Sequence, residues 1–124
     1  MSYILNAIKR TFSTSASPEQ ARLAKETVEG MLQSSPVAVF SKSYCPYCME
    51  AKHILKGHGQ ESRMQVLEID HDNNGGPIQA YLAERIGQSK VTVPQVYIGG
   101  KLIGGCSDLK KLHKDGLLEK LLAA

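Results

Sequence analysis

Tryptophan is absent from this chain, and two phenylalanines and five tyrosines bring the aromatic content to only 6%. The core must therefore be built mainly from aliphatic side chains. Cysteine is scarce too, with three residues in all. A small odd number does not make the disulfide framework of a secreted mini-domain, and it suits a reducing compartment where cysteine is kept for reactivity or packing. No apolar run approaches the roughly 20 residues that cross a bilayer, so no transmembrane helix and no membrane partner are expected. Fifteen Lys and Arg against twelve Asp and Glu give a formal charge of +3, and the basic residues are scattered along the chain. Without a basic stripe, nucleic acid is not an expected partner. Hydrophobic residues at 42% and charged residues at 22% are ordinary for a globular protein, and 124 residues make one domain.

Residues 1–17 differ from the rest. They contain no acidic residue, carry Lys9 and Arg10, and turn rich in Ser and Thr towards their end. Ile4, Leu5, Ile8 and Phe12 would share one side of a helix. This is the composition of a mitochondrial transit peptide, and Arg10-Thr11-Phe12-Ser13 resembles an Arg-x-Phe-Ser processing site. A plain N-terminal tail is the alternative, so the expected location is mitochondrial, or cytoplasmic if the segment is no leader. The folded domain is expected over residues 18–124.

Ser17-Pro18-Glu19-Gln20 reads as a helix start, with Ser17 as N-cap, Pro18 as first helical residue and Gln20 as capping-box partner. Leu23, Thr27, Val28, Met31 and Leu32 supply its apolar face, and the helix should stop before Pro36. Val37 to Phe40 reads as a strand buried on both faces. Ala51, Ile54 and Leu55 mark a second helix ending near Gly57, and Val66 to Ile69 a second strand. Asp72 to Gly76 is a turn cluster, followed by a helix over Pro77 to Ile86 with Gly87 at its end. Gln95 to Ile98 and Lys101 to Ile103 form a hairpin around Gly99-Gly100. Ser107 or Asp108 then caps a last helical region holding Leu109, Leu112, Leu117 and Leu118. The β-α-β segment requires a parallel pair with a right-handed crossover, and the hairpin adds an antiparallel pair. The fold class is α/β: a four-stranded mixed sheet with helices on both faces.

Cys45-Pro46-Tyr47-Cys48 lies between a buried strand and a helix. A thiol at a helix N-terminus faces unpaired N–H groups and the positive end of the helix dipole, both of which favour thiolate. Such positions lower a cysteine pKa from about 8.5 into the range of roughly 3.5–7.5. Lys42 adds a positive charge nearby. Cys48, three residues on, is within reach for an intramolecular disulfide. At neutral pH, full ionisation gains about 30-fold in thiolate, but nucleophilicity falls with pKa at a Brønsted slope of about 0.4–0.5. The surviving advantage of an acidic Cys45 is as a leaving group. A zinc site would need a second ligand pair; Cys106 stands alone, and His53, His58, His71 and His113 have no paired spacing, so no metal is expected.

Three motifs together resemble the dithiol glutaredoxins: Lys42-Ser43-Tyr44-Cys45-Pro46-Tyr47-Cys48, Thr92-Val93-Pro94 and Gly104-Gly105-Cys106-Ser107-Asp108-Leu109. Thioredoxins, by contrast, typically carry Trp-Cys-Gly-Pro-Cys. The resemblance runs from Pro18 to the C-terminus. It implies the thioredoxin-like three-layer sandwich and a glutathione-dependent thiol–disulfide oxidoreductase, with Cys45 as nucleophile and Cys48 as resolving cysteine. It also implies a cis Val93-Pro94 peptide, with the Val93 backbone paired to the cysteine residue of glutathione. Ser107 and neighbouring N–H groups would take the γ-glutamyl carboxylate, and Asp108 its ammonium. Lys42 and Gln79 match positions holding the glycine end, while Tyr47 and Thr92 line the groove.

The implied partners are glutathione, glutathionylated proteins and disulfide substrates, with the protein acting as a monomer. One departure is the run Gln88-Ser89-Lys90-Val91-Thr92, in which Val91 displaces the basic residue expected just before Thr-Val-Pro. The family's basic contact is therefore not carried over to Lys90. Cys106 reads as a small buried hydrophobe beside the groove. Some family members instead bridge a [2Fe–2S] cluster, usually with a monothiol site or a serine in place of the motif proline; Pro46 weighs against that here.

Overall fold

The computed structural model describes residues 16–123. The leader-like stretch containing Ile4, Leu5, Ile8 and Arg10 to Ser13 lies outside the described residues. The first helix, α1 (Pro18–Ser34), opens with the expected capping box. The Gln20 N–H donates to Ser17 Oγ at 3.1 Å and the Ser17 N–H to Gln20 Oε1 at 2.9 Å. Its buried stripe is Ala24, Val28, Met31 and Leu32, whereas Leu23 and Thr27 face solvent. Here α1 packs on a later helix, and small Ala24 sits at the contact where a leucine was expected.

Strand β1 (Val37–Ser41) is buried throughout. Helix α2 (Pro46–Gly57) follows, then β2 (Met64–Glu68) and a short 3-10 turn at Ile69–His71. Ile69, expected to end β2, instead turns its side chain into the core. Helix α3 (Gly75–Arg85) begins two residues earlier than the glycines suggested. Pro77 is its third residue, where a backbone N–H has no intrahelical acceptor anyway. Gly75 lies so close to the Ile69 carbonyl that no Cβ fits between them.

β3 (Gln95–Ile98) and β4 (Lys101–Gly104) form the hairpin, with Gly99 and Gly100 at φ +61° and +79° as a two-residue primed turn needs. The last helical region is two helices, α4 (Cys106–Lys114) and α5 (Leu118–Leu122). Gly116, at φ +73°, separates them, and Leu117 is exposed rather than buried.

The sheet order is β2-β1-β3-β4, with β1 and β2 parallel and the other two pairs antiparallel. Alternation along β1 divides the core into two layers. Ala38, Phe40 and Tyr97 pack with Val28, Ile78 and Leu82 beneath α1 and α3. Val37, Val39 and Val96 pack with Leu55, Leu109 and Leu118 beneath α2, α4 and α5. The few aromatics are used economically: Phe40 and Tyr97 meet edge-on, their ring centroids 5.7 Å apart. This is a four-stranded mixed sheet covered on both faces, the α/β sandwich expected from the sequence.

Candidate active site

The end of β1 delivers a short turn, Lys42 to Cys45, closed by the Cys45 N–H donating to the Lys42 carbonyl at 3.0 Å. A carboxylate on the neighbouring turn fixes its conformation. Asp70 accepts from the Ser43 N–H at 2.9 Å and from the Ser43 hydroxyl at 2.5 Å. These two bonds hold the Asp70 carboxyl below its usual range.

Cys45 is the N-cap of α2, and its Sγ accepts the Cys48 N–H at 3.3 Å. Burial alone would raise its pKa. Hydrogen bonding from the Cys48 thiol and N–H and from the Tyr47 N–H, together with the Lys42 charge, outweighs burial and lowers it. Cys48 goes the other way. It is fully buried, and burial pushes its thiol up despite hydrogen bonding from the Lys42 backbone and the Ser41 hydroxyl. Both sulfurs are free thiols here, the first partly accessible and the second sheltered.

A groove of about 520 Å³ gathers Tyr47, which lies between the two cysteines in the chain, with Thr92, Val93, Pro94, Ser107 and Asp108; Cys45 and Cys48 themselves are not among its lining residues. The Val93-Pro94 peptide is cis. Among the described residues, neither the N–H nor the C=O of Val93 has a backbone partner. Opposite it stands the start of α4, where the expected cap needs correction. Gly105 is the N-cap, Ser107 lies inside the first turn, and Asp108 is the third residue, its Oδ2 accepting the Gly105 N–H at 3.0 Å. The chain enters α4 through Gly104 at φ +131°, where a Cβ would collide with the Asp108 carboxylate. Only a residue without a side chain admits this approach.

Lys42 and Gln79 are not among the residues lining that groove. Gln79 lines a separate cavity of about 330 Å³ with Ser89, Lys90 and Val91. The Val91 insertion has a physical reason: its side chain is buried in the α1/α3 layer while Lys90 stays exposed. Sequence reasoning missed Lys110, which lines the main groove and pairs with Glu50 at 3.1 Å. Glu50 also accepts from the Cys106 thiol at 3.5 Å. Cys106 is buried, and its thiol is pushed up chiefly by burial, as its reading as a packing residue requires. A lysine one turn into a short polar helix carries no sequence signal of a groove contact.

Comparison with known proteins identifies the family. The glutaredoxin family model matches residues 37–103. The chain is 44% identical over 100 residues to glutaredoxin-1 of Rhizophagus irregularis, covering 81% of this chain and 95% of that protein. Identity to glutaredoxin-C2 of Arabidopsis thaliana is also 44%, over 81% of this chain and 86% of the relative. Among solved structures, a buckwheat glutaredoxin in complex with glutathione superposes with a TM-score of 0.78 at 40% identity, covering 87% of this chain and 94% of that one. The holo form of glutaredoxin C1 from Populus tremula x tremuloides gives 0.75 at 37% identity, over 85% and 91% of the two chains. The chain thus belongs to the glutaredoxin family and is a thioredoxin-fold, glutathione-dependent thiol oxidoreductase.

Proposed function

We propose that this protein reduces protein–glutathione mixed disulfides through Cys45 alone, and protein disulfides through Cys45 and Cys48 together. The observation that carries this reading is the contrast within the pair: an accessible Cys45 with a depressed pKa, and a buried Cys48 with a raised one. The Cys45 thiolate attacks the glutathionyl sulfur of a mixed disulfide, the substrate thiolate leaves, and Cys45 carries the glutathione. A second glutathione thiolate attacks that sulfur, releasing oxidised glutathione and restoring the Cys45 thiolate. With a protein disulfide, Cys45 forms a mixed disulfide with the substrate and Cys48 displaces it, giving Cys45–Cys48, which two glutathiones reduce. A low pKa serves Cys45 mainly in departure, because nucleophilicity falls along with basicity.

Glutathione lies along the groove. The unpaired Val93 main chain pairs with its cysteine residue, Ser107 and the first N–H groups of α4 take the γ-glutamyl carboxylate, and Asp108 takes the ammonium. Thr92, Pro94 and Tyr47 shape the walls, and the glycine end reaches out of the groove towards Lys42 and Gln79, which lie outside its lining. The similarity to a buckwheat glutaredoxin solved with glutathione supports glutathione as the ligand. We read the protein as a monomer acting in cell redox homeostasis, mitochondrial if its acid-free start is a leader and cytoplasmic if it is not. If protein isolated from cells begins intact at Met1 or Ser2, cleavage of that leader is wrong.

A glutathione-coupled assay on a small mixed disulfide tests the mechanism. Cys45→Ser should be inactive, while Cys48→Ser keeps deglutathionylation and loses protein-disulfide reduction. Activity retained in Cys45→Ser would falsify the scheme. A colourless, freshly purified sample separates this enzyme from a module built around an iron–sulfur cluster.

A further inference from the structure

Cys45 acts from a turn that packing hardly holds. Tyr44, in the middle of it, is 69% exposed, and Lys42, Ser43 and Cys45 are only partly buried. Among the described residues, no backbone hydrogen bond from another element reaches Ser43 or Tyr44, and the Cys45-to-Lys42 bond closes the turn without anchoring it. The anchor comes from the neighbouring strand. The last parallel pair of β1 and β2 is Ser41 with Glu68, so Ser43 and Asp70, each two residues further on, still face each other. One Asp70 oxygen accepts the Ser43 N–H at 2.9 Å and the other accepts the Ser43 hydroxyl at 2.5 Å. His71 Nε2 stands 3.1 Å from the same hydroxyl and 3.5 Å from the carboxylate. Asp70 is itself firmly placed. Ile69, just before it, is buried in the α1/α3 layer. The Asp72 N–H donates to the Ile69 carbonyl at 3.2 Å, and Gly75 packs against that same carbonyl. By charge alone a carboxylate is a poor neighbour for Cys45, because like charge disfavours a thiolate. What Asp70 contributes is geometry.

We propose that Asp70 is a positioning residue for exchange at Cys45: through Ser43 its carboxylate holds the Lys42–Cys45 turn, keeping the Cys45 sulfur at the start of α2 with Lys42 beside it. This rests on the reading of Cys45 given above. The sulfur must meet a disulfide in line with the bond it breaks, and a turn free to drift loses that alignment. Drift also takes Cys45 Sγ away from the Cys48 N–H, which now donates to it at 3.3 Å. The charged and titratable groups facing this turn are Lys42 within it, Cys48 on α2, and Asp70 and His71 beyond β2. Asp70 touches none of the groove-lining residues through a hydrogen bond; its partners are Ser43 and His71. Its influence on the reaction therefore passes through the turn.

The test compares wild type, Asp70→Ala and Asp70→Asn by two readouts. One is the rate at which oxidised glutathione modifies Cys45 in a single turnover, by acid quench and mass spectrometry. The other is alkylation of Cys45 by iodoacetamide across pH, which needs no glutathione site. Misplacing a reacting group by about 1 Å costs on the order of 10²-fold, so Asp70→Ala should slow glutathionylation by about 10- to 100-fold. Its alkylation curve should move to higher pH, as the sulfur loses the groups that favour thiolate. Asp70→Asn still accepts the Ser43 N–H and can donate to its hydroxyl. It should keep most of the rate, with its curve unmoved or displaced to lower pH by the loss of negative charge. A curve displaced to lower pH in Asp70→Ala means that Asp70 acts as a charge, and overturns the proposal. So does an Asn variant as slow as the Ala variant, or an Ala variant that loses thermal stability while keeping the wild-type rate and curve. If wild-type Cys45 is alkylated normally yet never takes up glutathione, the exchange reading itself has failed and the proposal falls with it.

Discussion

Gly104→Ala is the substitution whose consequences the structure constrains most closely. Residue 104 sits at φ +131°, a region that L side chains rarely adopt, and its Cβ would occupy the space of the Asp108 carboxylate. A residue held in such a conformation costs about 1–3 kcal/mol. For a domain of this size, 1 kcal/mol shifts Tm by roughly 4 °C, so a fall of roughly 4–12 °C is expected by calorimetry. A second effect is chemical. Asp108 must swing away, leaving the Gly105 N–H without the acceptor it now has at 3.0 Å and withdrawing the charge proposed for the glutathione ammonium. An exposed charge-assisted contact of this kind is worth roughly tenfold in binding, so KM for glutathione should rise by about that factor.

Asp108→Asn separates the two effects, because its amide oxygen still accepts from Gly105 while the charge is gone. It should reproduce the rise in KM with a Tm close to wild type. If Gly104→Ala keeps both Tm and KM, or Asp108→Asn leaves KM unchanged, the reading of this helix start as the γ-glutamyl end is wrong.

Two further outcomes follow from the same geometry. Alkylation of Cys45 by iodoacetamide should increase with pH and level off below the ordinary thiol range, because the lowered pKa keeps thiolate present at lower pH. Lys42→Met should move the midpoint upwards, seen as a shift of the pH–rate curve. Leu55→Ala, at a fully buried position holding α2 on the sheet, should cost roughly 3–5 kcal/mol in urea unfolding.

The sequence made the frame of this protein legible because its punctuation is strong. Ser17-Pro18, Gly99-Gly100 and the apolar Val37 to Phe40 run each have one local solution, and the structure adopts it. It was less clear where tertiary contact overrides local preference. Ala24 replaces Leu23 in the core because α1 approaches α3 closely, and Gly75 becomes helical because the chain must clear the Ile69 carbonyl. In the site, Cys45 and Cys48 were evident from spacing, and Thr92 to Pro94, Ser107 and Asp108 from motif. Lys110 could not be read, because a lysine one turn into a short polar helix shows nothing in the sequence of the groove it lines.

The central claim is that Cys45 is the sulfur that exchanges with glutathione, and it is tested most directly by trapping. Reduced Cys48→Ser protein is mixed with one equivalent of oxidised glutathione, quenched in acid within seconds and mapped by peptide mass spectrometry. The account predicts a single glutathionyl group on Cys45, with Cys106 free. A glutathionyl group on Cys106 while Cys45 remains unmodified would contradict it.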